Sequence, residues 1–165
     1  MPYWQLFYHL IWATKRREPL LTPTVASEIY GFLRSRAIGL GATVFAVNGM
    51  ADHVHMIVTV PPRIAVATFI GQVKGVASAK ANKAGLTPTP FFWQEEYGVF
   101  SFDTKRLPNF VAYVERQQQH HAEHTAIGIL ERTDDQEGLL IRESSSIYAL
   151  DDPIWRHELE SLDNS

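Results

Sequence analysis

His53 and His55 stand one residue apart in Asp52-His-Val-His-Met-Ile-Val-Thr-Val60. On a strand, residues two apart project from the same face. Val54, Met56, Val58 and Val60 then share the opposite face, and all are apolar. One face of this strand reads as core, and the other carries two imidazoles side by side. Two neutral imidazoles at this spacing can chelate one divalent ion. The plain alternative is two partly exposed histidines that coordinate nothing. Asp52 directly precedes the pair, placed either to orient a histidine or to cap the start of the strand.

A second constellation lies further along the chain. Tyr113 and Gln117 are four apart, so on a helix they share a face. A protonated phenol, with an ordinary pKa of about 10, is a poor nucleophile. It becomes useful against an activated phosphodiester when a metal ion or positive field stabilises the developing charge. The carbonyl oxygen of Gln117 can ligate a hard divalent cation. The alternative is a half-buried tyrosine and a solvated glutamine. His120, His121 and His124 come next. They read as polar residues near a helix end, where a cationic imidazole suits the dipole, rather than as a second metal cluster.

These residues need elements to hold them. Residues 3–14 are apolar on both faces and suit a strand in mid-sheet. The basic turn Lys15-Arg16-Arg17-Glu18-Pro19 ends it. Thr22-Pro23-Thr24 opens a helix with Ile29, Phe32, Leu33, Ala37 and Leu40 at helical spacing, closed by Gly39 and Gly41. Two strands come next, over 42–50 and 53–60, the second stopped by Pro61-Pro62. A helix over 64–84 buries Val66, Phe69, Ile70, Val73 and Val76. Residues 90–103 read as one or two short strands around Gly98. A third helix runs from Thr104 to His124, with Leu107, Phe110, Val111 and Val114 on one side. A short helix within 147–161 would bury Ile154, Trp155 and Leu159.

Strand, helix, strand, strand, helix, strand is the ferredoxin-like α+β pattern: a four-stranded antiparallel sheet with two helices on one face. The tyrosine comes after it, on a C-terminal helix. In such a fold one sheet face is core and the other is open, and parity places His53 and His55 on the open face. The expected division is 1–124 as the catalytic domain and 125–165 as an acidic C-terminal tail or extension.

Composition narrows the setting. Apolar residues make up 45% of the 165 residues and there is no cysteine, which excludes disulfides and thiolate chemistry. No apolar run approaches the ~20 residues a membrane helix needs, and the start lacks a signal-peptide pattern. A cytoplasmic protein is expected, with no membrane partner. The net charge of −3 is unevenly spread: residues 1–124 hold 12 basic against 8 acidic side chains, and residues 125–165 hold 3 against 10. A mildly basic body tolerates a polyanion better than the total suggests.

The His-Val-His strand, Pro61-Pro62, and Tyr113 and Gln117 ahead of His120-His121 occur in a set order with other segments. These are Tyr8-His-Leu-Ile-Trp-Ala-Thr-Lys15, Met50-Ala-Asp-His-Val-His55, Gly71-Gln-Val-Lys-Gly75 and Phe92-Trp-Gln-Glu-Glu-Tyr-Gly-Val-Phe-Ser101. Together, over roughly residues 6–124, they resemble the single-tyrosine HUH transposases of small bacterial insertion sequences, including the relatives associated with repetitive extragenic palindromes. The resemblance implies one Mg²⁺ or Mn²⁺ held by His53, His55 and Gln117, with Asp52 behind them. It implies that Tyr113 attacks single-stranded DNA, leaving a 5′-phosphotyrosine and a free 3′-hydroxyl. It further implies a homodimer, in which some members supply the tyrosine helix to the partner's histidine pair.

Lys15, Arg16, Arg17, Lys74, Lys80 and Arg116 are candidate DNA contacts, and Trp93 and Tyr97 candidate stacking surfaces. Two features depart from the family pattern: the acidity of 125–165, and Arg116 where many relatives carry a small polar residue. Two other readings stand beside transposition. One is a domesticated descendant that binds or nicks hairpin DNA without moving an element. The other is a ferredoxin-like metal-binding module with no DNA role.

Overall fold

The computed structural model describes residues 2–133 and 153–163. Strands β1 (Phe7–Ala13), β2 (Val44–Met50), β3 (His53–Thr59) and β4 (Gly98–Phe102) form one antiparallel sheet in the order β2-β3-β1-β4. The near-continuous apolar run of β1 requires neighbours on both sides. It pairs with β3, Ile11 opposite His55, and with β4, His9 opposite Phe100. This is the expected α+β sheet.

Helices α1 (Pro23–Gly39) and α2 (Val66–Ala84) cover one face. Pro23 sits in the first turn of α1, where its missing N–H is harmless. Gly85, at φ 63°, ends α2 in a left-handed conformation that suits glycine. Leu10, Trp12, Val54, Met56 and Val58 from the sheet meet Ile29 and Leu33 of α1 and Phe69, Ile70 and Val73 of α2. The even-numbered residues of β3 therefore point where the sequence pattern placed them.

The other face is not open, contrary to expectation. Helices α3 (Leu107–Glu115), α5 (Gly128–Glu131) and α6 (Pro153–Asp163) bring a second apolar cluster to that side, and α4 (Gln117–Ala122) adds the buried polar residues Gln117 and His120. The cluster joins Ala46 and Ile57 of the sheet to Phe110, Tyr113, Val114, Ile127, Leu130, Trp155 and Leu159. The reason is the strands' own composition. Ile57, Phe100 and Phe102 also face this side, and bare apolar surface costs about 25 cal/mol per Å². Phe110 stacks on Phe102 with ring centroids 4.0 Å apart. All seven residues of β3 are consequently buried.

The helix expected over 104–124 is broken. A 3₁₀ turn spans Thr104–Arg106, and Arg116 leaves helical geometry at φ −107° and ψ 24°, so that α4 starts afresh at Gln117. Of the helix expected within 147–161, the part before 153 lies outside the described residues; Trp155 and Leu159 are buried as expected, but Ile154 is exposed because it lies on the outer side of α6. No described helix is long and apolar enough to cross a membrane.

Candidate active site and metal centre

His53 and His55 project together from β3 toward α3, α4 and α5, and each ring is fixed from behind. His53 Nδ1 lies 2.8 Å from Asp52 Oδ1. Asp52 is itself held by Arg17, 3.4 Å away. His55 Nδ1 lies 2.8 Å from Nε2 of His9, which β1 presents from the neighbouring strand. With both Nδ1 atoms engaged, both Nε2 atoms face the interior of the site. Neither makes a hydrogen bond among the described residues, although both are buried. Gly49 allows β2 to pass close by: a Cβ there would stand 2.1 Å from the His53 carbonyl oxygen.

The side chain opposite these nitrogens is Glu131, at the end of α5. Its Oε2 lies 3.4 Å from His53 Nε2 and 3.1 Å from His55 Nε2. One ligand atom from each of His53, His55 and Glu131 falls within 4.8 Å of the others. Buried nitrogens without hydrogen bonds, aimed at a carboxylate, fit a hard divalent cation in both donor type and placement.

Tyr113 reaches the same point from α3. Its hydroxyl donates to Glu131 Oε1 at 2.5 Å and accepts from the Ile127 N–H at 2.9 Å. Its ring lies 6.1 Å from that of His55 and 4.7 Å from that of His120. Asn48 of β2 fixes the end of α3 by donating to the carbonyls of Val114 and Glu115, both at 3.1 Å. Gln118 completes this clamp by donating to Asn48 Oδ1 and to the Gly49 carbonyl, both at 2.9 Å.

Gln117 is fully buried beside this group, but its oxygen is engaged elsewhere. Oε1 lies 3.2 Å from His121 Nε2, and Nε2 points back to the Tyr113 carbonyl at 3.5 Å. His121 in turn lies 3.6 Å from Glu131 Oε1, and its ring sits 5.1 Å from that of His53, tilted by 55°. The structure thus brings together Tyr113, His53, His55, Asp52 and Gln117, and adds His9, His121 and Glu131.

The charges are arranged around the carboxylate. Burial opposes the charge of Glu131, yet His55, His121 and His53 outweigh it and hold its carboxyl well below the usual range. Burial likewise opposes a charge on His53, but the adjoining carboxylates of Asp52 and Glu131 bring it up to about 9. His55 and His9 go the other way, lowered mainly by burial. Tyr113 is pushed well above 10, by burial first and then by the neighbouring Glu131 charge. The phenol therefore stays protonated at rest.

The candidate DNA contacts divide. Lys15, Arg16 and Arg17 form one exposed 3₁₀ turn after β1, close to Asp52, with Arg16 and Arg17 at positive φ. Lys15 Nζ lies 5.5 Å from the centroid of the Phe92 ring, and Lys80 Nζ 5.6 Å from that of Phe32. Arg116 occupies the α3–α4 junction. Lys74 departs from expectation. It is 9% exposed, and its ammonium donates to the carbonyls of Gln94, Glu95 and Glu96 at 2.6, 3.3 and 3.4 Å. It braces the loop before β4 instead of meeting solvent. Trp93 is a core residue whose indole N–H bonds the Lys74 carbonyl, and Tyr97 is partly exposed.

Residues 2–117 match the family model described as transposase IS200 like. The ISDra2 transposase TnpA of Deinococcus radiodurans is 35% identical over 77 residues, 47% of this chain and 55% of that one. The transposase of insertion sequence element IS200 from Salmonella typhimurium is 28% identical over 75 residues, 46% and 49% of the two chains. The chain thus spans about half the length of these curated relatives. Among solved structures, a transposase-like protein of Deinococcus radiodurans R1 superposes with a TM-score of 0.56 at 27% identity, over 71% of this chain and 95% of the other. The REP-associated tyrosine transposase, solved bound to a REP hairpin, shares the fold at a TM-score of 0.53 and 14% identity, over 78% of each chain.

Proposed function

Because the chain belongs to the IS200-like transposase family, we propose that it cleaves and rejoins single-stranded DNA with Tyr113 as the nucleophile. The observation that carries this reading is the convergence of the Tyr113 hydroxyl and the two His Nε2 atoms on one carboxylate, Glu131, inside a single chain. Tyr113 attacks the scissile phosphorus and the P–O3′ bond breaks. The phenol proton is lost and the departing 3′ oxygen ends as a hydroxyl, leaving a 5′-phosphotyrosine. The energy of the broken bond is kept for rejoining.

His53 and His55 would hold one Mg²⁺ or Mn²⁺, with a third position contested by the oxygens of Gln117 and Glu131. Bound there, the ion supplies Lewis-acid polarisation of the scissile phosphate. Asp52 and His9 hold the two rings so that Nε2, not Nδ1, faces it. The exposed Lys15-Arg16-Arg17 turn near Asp52 is a suitable phosphate contact. The homodimer implied by the family resemblance is not required to complete the constellation, so the tyrosine is proposed to act in cis.

The test incubates the protein with labelled single-stranded hairpin DNA and Mn²⁺ or Mg²⁺. A hairpin is chosen because a fold neighbour was solved on one. The expected result is a denaturation-resistant protein–DNA adduct that Tyr113→Phe abolishes. Equal behaviour of wild type and variant would refute the tyrosine mechanism. A domesticated role, nicking without transposition, predicts the same adduct. It differs in lacking hairpins at the ends of a short mobile element around the gene.

A further inference from the structure

We propose that Glu131 is the third metal ligand of this chain, in the position that family resemblance gives to Gln117, and that its second oxygen fixes Tyr113 beside the ion. The proposal deepens the reading above and rests on it for the use of the site. Residue 131 lies beyond the segment that matches the family, which ends at 117. This ligand would thus be supplied by a part of the chain the family pattern does not describe.

Three observations support it. The first is distance. At metal–oxygen lengths of about 2.1 Å, neighbouring ligands of an octahedral ion stand roughly 3.0 Å apart. Glu131 Oε2 lies 3.1 Å from one histidine nitrogen and 3.4 Å from the other. Both separations are close to that octahedral spacing. The second is availability. Gln117 Oε1 already faces His121 Nε2 at 3.2 Å. The third is chemistry: a carboxylate oxygen is a stronger ligand than an amide oxygen for a hard divalent cation, and it offsets part of the ion's charge in a buried site.

The placement of Glu131 is also built in. Ile127 and Leu130, on either side of the α5 start, are fully buried in the second apolar cluster. The chain after Glu131 is pressed against β4. A Cβ at Gly98 would stand only 2.1 Å from the Arg132 carbonyl oxygen, so glycine is what admits that approach. The carboxylate is then shared by its two oxygens. Oε2 faces the histidines while Oε1 takes the Tyr113 hydroxyl proton in a hydrogen bond.

The test is Mn²⁺ binding to the full chain without DNA, monitored by calorimetry and by the electron paramagnetic resonance of the ion. Glu131→Gln keeps the shape and removes the charge; it should weaken Mn²⁺ binding by about 100-fold, at or beyond the roughly 10–100-fold loss seen when outer-shell partners are removed. Glu131→Asp should recover part of that loss. Gln117→Ala should change affinity by less than about threefold. Circular dichroism melts confirm that each variant is folded. Wild-type affinity in Glu131→Gln, or an equal loss in Gln117→Ala, overturns the proposal while leaving the tyrosine mechanism standing if the Tyr113-dependent adduct still forms. Absence of Mn²⁺ binding by the wild type would remove both this proposal and the metal-dependent part of the function.

Discussion

His9 Nε2 and His55 Nδ1 lie 2.8 Å apart on adjacent strands, and this contact decides which nitrogen of His55 faces Glu131. His9 sits in the mid-sheet strand with 1% exposure, so its ring cannot turn away to water. His9→Phe keeps an aromatic ring, somewhat larger than the imidazole, and removes both nitrogens. The expected outcome is a folded protein with Mn²⁺ affinity lowered by about 10–100-fold, the usual penalty for losing an outer partner of a ligating histidine. Unchanged affinity by calorimetry would show that the His55 orientation does not depend on His9.

The Asn48–Gln118 clamp joins β2 to the break between α3 and α4. Asn48→Leu leaves the carbonyls of Val114 and Glu115 without this donor, at a cost of about 1–3 kcal/mol. Hydrogen exchange should accelerate at the end of α3, and adduct formation should slow more than DNA binding weakens. If exchange at α3 is unaffected, Tyr113 is positioned without this clamp.

Gly98→Ala tests the contact that presses the end of α5 to the sheet. The new methyl meets a backbone oxygen, which cannot swing aside as a flexible side chain does. The melting temperature should fall, and Mn²⁺ binding should weaken together with it. A variant as stable as wild type would mean that the segment after Glu131 shifts without strain.

Assembly of the site within one chain makes a mixing experiment decisive. Tyr113→Phe and a His53→Ala, His55→Ala double variant, combined in equal amounts, should give no adduct beyond either alone. Restored activity would show that the tyrosine is exchanged between protomers.

The basic residues should separate by salt dependence. Arg16→Ala should weaken single-strand binding and reduce the slope of log K against log salt by up to about 0.7, the contribution of one single-strand phosphate contact. Lys74→Met should lower stability and leave that slope unchanged, because the ammonium is committed to three backbone carbonyls.

Much of this architecture is legible in the residues. The alternation through His53–Val60 gives the facing of β3 without any structure, because strand parity depends only on position. The order of elements gives the sheet. Other features leave no local trace. His9 becomes visible only when β1 and β3 are paired, since its partner is far away in sequence. Asn48 looks like an ordinary polar residue of a half-exposed strand. The burial of the second face is hidden because 125–165 reads as acidic and solvated overall. Among its apolar residues Ile127, Leu130, Trp155 and Leu159 are buried, whereas Ile154 and Leu162 stay exposed, so hydropathy alone does not mark the side that covers the sheet. Glu131 sits among them as one acid of ten in that stretch.

The tyrosine hydroxyl is walled in by α5, the histidine rings and the second apolar cluster, and the residue has no exposed surface. Such enclosure matters after cleavage as much as during it. A phosphoester formed on Tyr113 would be shielded from bulk water, and a shielded intermediate resists hydrolysis. The same walls that slow the entry of a strand would lengthen the lifetime of the bond that joins it to the protein. The 3′-hydroxyl then has time to return, or a different strand end time to arrive, before the stored bond is lost to solvent.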